Sequence, residues 1–340
     1  MAAKSQLVTG LITAINLVFP LPIWFNLQAF TLGPIYAGSL RSRKLSPLWP
    51  EKDEDGEEVA VLDKHEAMKF PVVASITLVS LYTCIKVFGK EIISLIITTY
   101  LVLIGAYSVK YYICQGLKAY GIGSTEKIFS KEVKIRYLMK NAEKVEMTWR
   151  DLIGYLGVSP VLVAYFFTQF WVLNNLFGFA LAVNALENLP VRNFKVLFGL
   201  LAALLCYDVF FVFGTDVMLT VAKSIDGPIK LLFPKPSGGF SMIGLGDIIM
   251  PGILVAMCLR YDLYRKLKLD KKGDVYFYSS LIGYTFGIVL TIFAMVFMEK
   301  EQPALLYLVP TTVLSVILTA LFNGELAQLW LYSEEVNEDS

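Results

Sequence analysis

The 340-residue chain is 56% hydrophobic, with 23 Phe and 18 Tyr, and its mean hydropathy is +0.60. This is more apolar material than one soluble core needs, so the composition predicts an all-α polytopic membrane protein and excludes an ordinary soluble domain. The net charge of +1 does not identify a binding partner, and we do not expect the protein to bind nucleic acids. Four scattered cysteines and one histidine, His65, give no metal-site spacing, so we expect neither a metal nor another cofactor.

Nine apolar segments are long enough to span, or nearly span, a bilayer. They run over Leu7–Ala37, Pro71–Phe88, Glu91–Val109, Val158–Leu173, Asn174–Leu189, Phe194–Gly214, Ser241–Leu259, Val275–Met298 and Pro303–Phe322. No small-residue cleavage site follows the first apolar core, so we expect a retained helix rather than a cleaved signal peptide. Its prolines, Pro20, Pro22 and Pro34, should kink this helix or break its last turn.

Three of the connecting loops are long. The first, Arg41–Phe70, carries an acidic run over Glu51–Glu58 that is typical of a solvated loop. In the second, Lys110–Gly157, apolar and basic residues alternate around Val133, Ile135 and Tyr137, which fits either a short strand or an interfacial segment. The third, Thr215–Phe240, is rich in proline and glycine, which predicts an irregular, hinge-like connection.

Lysine and arginine are distributed unequally between the two sides of the predicted bundle. The loops after segments one, three, five and seven hold 23 of the 30 basic residues, and the opposite side holds 6. Basic residues are enriched in cytoplasmic loops. This asymmetry predicts a cytoplasmic C-terminus and an N-terminus on the lumenal or external side.

Two aspartates lie inside apolar segments, where an ionised side chain costs about 2.5–3.5 kcal/mol at the helix centre. Asp208 lies six residues before Gly214 at the end of segment six, and Asp247 lies six residues after Ser241 at the start of segment seven. If these segments are antiparallel partners, both carboxyl groups fall about 9 Å from the ends that face the joining loop. The spacing therefore predicts two carboxyl groups at similar depth.

Two neighbouring carboxyl groups do not both ionise readily, so they share a proton. The ionised one can then take a proton from water while the protonated one polarises a peptide carbonyl, which is the chemistry of peptide-bond hydrolysis. Gly244 and Gly246 would allow local unwinding and the close approach of an extended substrate. The alternative is that the glycines serve helix packing and each aspartate bonds a neighbouring Ser or Tyr. Spacing alone leaves both interpretations open.

Segments four and five carry further polar residues, for which we expect interhelical hydrogen bonds rather than chemistry. They are Gln169, Asn174, Asn175, Asn184 and Glu187.

Three motifs in this order resemble those of the intramembrane aspartyl proteases of the presenilin and signal peptide peptidase superfamily. They are Tyr207-Asp208, Gly244-Leu245-Gly246-Asp247 and Gln302-Pro303-Ala304-Leu305. The run Phe211–Met218, continuing through Val221–Ser224 to Lys230–Pro234, is similar to the signal peptide peptidase branch. The resemblance extends over Asn174–Pro310 and is weaker before that range.

The resemblance implies a presenilin-like intramembrane protease fold of about nine helices that needs no cofactor. It implies that Asp208 and Asp247 are the catalytic aspartates, with Tyr207, Gly244, Leu245 and Gly246 as their motif neighbours. It also implies that Gln302, Pro303, Ala304 and Leu305 form a loop that shapes the active site.

Motifs and segments together divide the chain into three regions. Residues 1–189 hold the N-terminal spans and two cytoplasmic loops, residues 190–322 hold the catalytic spans, and residues 323–340 form an acidic cytoplasmic tail. The family implies residence in the endoplasmic reticulum membrane, although Ser333–Ser340 contains no lysine-based retrieval signal.

The implied substrates are membrane-embedded peptides, chiefly remnant signal peptides and type II transmembrane segments. The lipid bilayer, a second copy of the chain and the proteins of a degradation complex are further candidate partners.

Two other classes of function remain open from the sequence. A catalytically idle scaffold could bind membrane segments for a degradation complex, and only an activity assay separates it from an enzyme. A cation- or proton-coupled transporter could also use paired intramembrane aspartates. Such a transporter should show inverted repeats with broken helices, and the sequence contains none.

Overall fold

The computed structural model of the protein describes residues 23–43, 64–124, 126–133, 143–189, 191–234, 239–298 and 302–334. Its helices are α1 Ile23–Ser42, α2 Lys64–Phe88, α3 Lys90–Ala119, α4 Trp149–Thr168, α5 Trp171–Asn188, α6 Phe194–Gly214, α7 Val217–Ser224, α8 Leu245–Lys268, α9 Val275–Met298, α10 Leu305–Phe322 and α11 Leu326–Leu331. Its strands are β1 Lys127–Val133, β2 Glu143–Thr148, β3 Lys230–Pro234 and β4 Phe240–Gly244. They form two separate antiparallel hairpins, β1–β2 and β3–β4.

The helical, membrane-spanning architecture predicted from composition is confirmed. Within the described ranges, six helices are long and apolar enough to cross a membrane, namely most of α2 and the whole of α3, α4, α6, α9 and α10. These six helices do not establish the predicted number of nine membrane spans. Outside this set, α5 and α8 carry polar side chains that are buried inside the bundle, Asn174 and Asn175 on α5 and Arg260 and Asp262 on α8.

Segments six and eight coincide with α6 and α9, but the predicted boundaries of segments four and five were wrong. Helix α4 begins at Trp149, well before Val158, because Thr148 caps it: the Thr148 hydroxyl accepts the Asp151 N–H while the Asp151 carboxylate accepts the Thr148 N–H. It ends at Thr168, because the following residue, Gln169, has a left-handed φ of 45°, and α5 begins at Trp171. The boundary therefore depends on local capping rather than on hydropathy.

The predicted loops contain more regular structure than their composition indicates. Most of Thr215–Phe240 was wrongly predicted to be irregular, because α7 and strand β3 form within it and β4 begins at Phe240. The strand alternative is confirmed for Val133 in β1, while Ile135 and Tyr137 lie outside the described residues.

The break predicted for the last turn of the first segment does not occur at Pro34. Pro34 lies inside α1, which continues unbroken to Ser42. Pro20, Pro22 and the acidic run Glu51–Glu58 lie outside the described residues.

Helix α8 lies at the centre of the bundle. Every residue from Pro251 to Asp262 is buried, and the helix packs against α1, α5, α9 and α10. Gly252 permits the close approach, because a Cβ there would lie 3.0 Å from Leu186 and 3.1 Å from Ile35. Helix α6 packs chiefly against α2 and α10, so α10 contacts both helices that carry the predicted aspartates.

The first part of the acidic tail is folded against the bundle. We call residues Leu326–Glu334 the C-terminal clasp. The Glu334 carboxylate accepts hydrogen bonds from Arg260 Nε at 2.9 and 3.1 Å, and both side chains are only 1% exposed. The Glu334 N–H donates to the Arg192 carbonyl at 2.8 Å, just before α6 begins. The clasp therefore ties the second half of α8 to the start of α6, about 20 Å along α8 from Asp247.

We expect a double-mutant cycle on this ion pair to be strongly non-additive. Breaking a buried pair by removing one partner leaves an uncompensated charge and costs about 3–5 kcal/mol, whereas replacing both partners with apolar side chains costs much less. Arg260→Met and Glu334→Leu should therefore each lower the thermal unfolding midpoint in detergent more than the double variant does. Lys268→Ala, at an exposed position on the same helix, is the control and should change little. Additive losses would contradict a directly coupled pair.

Candidate active site

Asp208 lies in the second half of α6, and its side chain is almost completely enclosed, with 2% of the residue exposed. Its Oδ2 atom accepts a hydrogen bond from the backbone N–H of Leu305 at 3.0 Å. Leu305 is the first residue of α10, where backbone N–H groups have no partner within the helix. The motif Pro303-Ala304-Leu305 therefore brings the N-terminus of a helix directly to the Asp208 carboxyl group.

Asp247 is the third residue of α8 and follows Gly244, which caps the helix. Its carboxyl group folds back toward the backbone of Gly244. A Cβ at Gly244 would come within 3.3 Å of Asp247 Oδ2, so glycine leaves room for this arrangement. The prediction that Asp247 lies well inside a helix beginning at Ser241 was wrong, because Ser241–Gly244 belongs to strand β4.

The two carboxyl groups are close enough to interact electrostatically. Each of them also faces the first turn of a helix, α10 for Asp208 and α8 for Asp247. A helix N-terminus carries a partial positive charge and exposes N–H donors, so both helices favour a negative charge at this point. The arrangement suits a pair of carboxyl groups that together hold one proton.

The β3–β4 hairpin leads directly into Asp247, and α5 covers its outer β3 edge. The Asn175 side chain donates to the Leu232 carbonyl and accepts from the Leu232 N–H, both at 2.8 Å. Asn174 donates to the Lys230 carbonyl at 2.8 Å. These two amides therefore occupy the β3 edge as a third strand would.

The opposite edge of the hairpin remains accessible. In an antiparallel hairpin, successive residues direct their backbone N–H and C=O groups alternately toward the partner strand and away from it. Lys230 and Leu232 direct theirs toward α5, so Leu231 and Phe233 form the hydrogen-bonded pairs with β4. The residues opposite Lys230 and Leu232, which are Gly244 and Met242, therefore direct their backbone groups away from β3. Among the described residues, no third strand lies beside β4. This edge ends at Gly244, three residues before Asp247, so an added strand would pass beside the Asp247 carboxyl group.

The structure brings together Asp208, Asp247, Gly244 and Leu305, but it separates the roles of the remaining motif residues. The Tyr207 ring lies against Phe211 at 4.8 Å between centroids, and Leu245 is a buried core residue. Gln302 accepts a hydrogen bond from the Tyr307 hydroxyl at 3.2 Å. Gly246 is exposed, and nothing lies within 4 Å of a Cβ placed there, so helix packing does not account for this glycine.

Sequence reasoning treated Asn174 and Asn175 as interhelical residues and missed their contact with the hairpin. Two adjacent side-chain amides in an apolar run are a signal for a buried backbone partner, but the sequence does not identify that partner. The hydrogen bonds predicted for Asn184 and Glu187 are confirmed, since Asn184 donates to Ser108 and Glu187 accepts from Arg41. Among the described residues, no three His, Cys, Asp or Glu side chains form a group that could hold a metal ion.

Residues 54–336 of the chain match the family model described as signal peptide peptidase. The chain belongs to the signal peptide peptidase family. It is 36% identical over 328 residues to signal peptide peptidase of Mus musculus and 35% identical over 329 residues to that of Homo sapiens. Each alignment covers 92% of this chain and 84% of the relative. A probable intramembrane protease of Schizosaccharomyces pombe is 31% identical over 297 residues, which cover 86% of this chain and 90% of that protein.

Membership of the signal peptide peptidase family makes this multi-pass membrane protein an intramembrane endopeptidase, a hydrolase that acts on membrane-embedded substrates. The transporter and idle-scaffold alternatives are not favoured by these comparisons.

We expect Asn175→Ala to loosen the hairpin next to Asp247. The substitution leaves the Leu232 N–H and carbonyl without their partner, and each unsatisfied buried group costs about 1–3 kcal/mol. Amide hydrogen exchange across residues 230–244 should become faster, and cleavage of a peptide substrate should fall about tenfold because the strand edge is less well ordered. Asn188→Ala, an exposed position on the same helix, is the matched control. Unchanged exchange in the Asn175 variant would show that the Asn175 side chain does not hold β3.

Proposed function

We propose that the chain is an aspartic endopeptidase in which Asp208 and Asp247 are the two catalytic carboxyl groups. The observation that carries this proposal is that the two carboxyl groups lie close enough to interact at the place where two helix N-termini and a free strand edge meet. Burying two interacting carboxyl groups in an apolar bundle costs free energy, so such groups usually have a function. Sharing one proton lowers this cost, and peptide-bond hydrolysis is a function that needs both groups.

In this mechanism the ionised carboxylate takes a proton from water as the water oxygen attacks the peptide carbonyl carbon. The protonated carboxyl group donates to the carbonyl oxygen and stabilises the negative charge that develops there. Transfer of a proton to the amide nitrogen then allows the C–N bond to break, and the two carboxyl groups return to sharing one proton. The Leu305 N–H orients the Asp208 carboxyl group throughout.

A substrate helix must unwind before its carbonyl can reach these acids, since its backbone groups are otherwise bonded internally. The β4 edge offers replacement partners for an unwound segment at Met242 and beside Gly244. Gly246 leaves open space next to Asp247, and Gln302, Pro303, Ala304 and Leu305 border the site at the start of α10. Tyr207 lies beside Asp208 and supports the packing of α6.

The substrates we infer are remnant signal peptides and type II transmembrane segments. The name of the mouse and human relatives, signal peptide peptidase, supports the first class. The distribution of basic residues supports a lumenal N-terminus and a cytoplasmic C-terminus. Relatives of this name support residence in the endoplasmic reticulum membrane. Residues 1–189 would then support the catalytic region 190–322, with residues 323–340 on the cytoplasmic side.

Asp208→Asn and Asp247→Asn should each abolish cleavage of a signal-peptide substrate in detergent. Catalytic residues that act as a unit are strongly non-additive, so either single variant should lose about 10³-fold or more, and the double variant little further. Because one acid must be protonated and the other ionised, wild-type activity should pass through an optimum with a limb on each side.

Asp216→Asn is the control, because Asp216 is exposed and its side chain makes no capping hydrogen bond to α7. The thermal unfolding midpoint of every variant should stay near that of the wild type. Near-normal turnover by either Asp208→Asn or Asp247→Asn would refute the assignment.

Cleavage should also depend on the orientation of the substrate. A strand that adds to the β4 edge must run in one direction to bring its carbonyl to the acids, and the edge has a fixed direction in the membrane. A reporter segment with its N-terminus in the cytoplasm should therefore be cleaved, and the same segment inserted in reverse should not. Gly, Ser, Asn or Pro within the segment should increase cleavage by weakening its helix. Equal cleavage in both orientations would contradict the proposed direction.

A further inference from the structure

Helix α8 lacks one of its backbone hydrogen bonds at Asp247. In an α-helix the carbonyl of residue 247 accepts from the N–H of residue 251, but residue 251 is proline and has no N–H. The proline ring also pushes the carbonyl four residues earlier away from the helix axis. The backbone that carries the Asp247 side chain therefore has an acceptor without its normal partner, in the first turn of the helix.

A tyrosine hydroxyl from the neighbouring helix reaches this acceptor. Tyr284 lies on α9 and is completely buried, at 0% exposure. Its hydroxyl donates to the Asp247 carbonyl oxygen at 3.5 Å, a long hydrogen bond. The Tyr284 hydroxyl also lies near Thr31 on α1, a completely buried residue whose own hydroxyl donates to the Gln28 carbonyl at 3.2 Å. Helix α9 thus contacts the peptide unit of Asp247 through this hydroxyl.

We propose that Tyr284 is a positioning residue for Asp247, which it holds by replacing the backbone donor that Pro251 removes. This inference rests on the catalytic role proposed for Asp247. Fixing the carbonyl fixes the peptide unit, and the peptide unit determines where the carboxyl group points relative to Asp208. A buried hydroxyl needs a partner, and the Asp247 carbonyl is the one that the Tyr284 hydroxyl has.

A simple packing role for Tyr284 makes a different prediction. If only the ring matters, Tyr284→Phe keeps the packing and should leave catalysis intact. If the hydroxyl replaces the missing donor, the same substitution should misorient Asp247. The loss should then disappear when an N–H is restored at position 251. Pro251→Ala restores that N–H without adding a large side chain.

The experiment is a cycle of wild type, Tyr284→Phe, Pro251→Ala and the double variant, assayed in detergent with a synthetic signal-peptide substrate. We expect Tyr284→Phe to lower kcat about tenfold in the wild-type background, with KM little changed, because the hydroxyl does not touch the substrate. In the Pro251→Ala background the same substitution should lower kcat by less than about threefold. Tyr278→Phe on the same helix, where the side chain is exposed, is the control and should behave as wild type.

An unchanged kcat for Tyr284→Phe, or an equal loss in both backgrounds, would overturn the inference. If Tyr284→Phe does not fold, the double variant decides: recovery of folded, active protein supports the coupling, and failure to recover contradicts it. Asp247→Asn separates this test from the proposed function. If that variant stays active, the catalytic assignment itself fails, whereas an inactive Asp247→Asn with a normal Tyr284→Phe removes only the role of Tyr284.

Discussion

The structure depends on keeping two interacting carboxyl groups inside an apolar bundle. Each carboxyl group lies at the beginning of a helix: Asp208 accepts the Leu305 N–H of α10, and Asp247 lies in the first turn of α8 beside Gly244. Backbone donors at helix N-termini stabilise a negative charge without bringing a cation into the membrane. Such donors are also fixed by the fold, so they hold the acids in place without side-chain motion.

The surrounding elements can be understood as supports for that arrangement. Helix α10 contacts both aspartate-bearing helices and supplies the N–H that meets Asp208. Helix α5 holds strand β3 through Asn174 and Asn175, so that β4 enters α8 with its outer edge free. At the far end, the buried pair of Arg260 and Glu334 joins α8 to the start of α6. The two helices are therefore fixed at the site and again at their other ends.

The two glycines of the motif have different physical roles. Gly244 is the helix cap against which the Asp247 carboxyl group folds back, and a Cβ there would crowd that group. Gly246 contacts nothing that a side chain would displace, and it leaves open space beside Asp247. Pro251 adds a third local effect, because it frees the Asp247 carbonyl for a donor from another helix. Residues 244–251 thus combine a helix cap, an open space beside Asp247 and a carbonyl that accepts from another helix.

The sequence by itself determined the helical membrane class, the limits of α6 and α9, and the family through its three motifs. These features depend on hydropathy and on local residue order, which a sequence contains directly. It did not determine that α4 begins at Trp149, although the capping residues Thr148 and Asp151 were a readable signal. Only the tertiary structure decided that Ser241–Gly244 is a strand, because the α5 amides that hold its hairpin partner β3 are distant in sequence. The same holds for the contact of Leu305 with Asp208 and of Tyr284 with Asp247, since nothing in the local sequence records which buried group meets an unpaired backbone donor or acceptor.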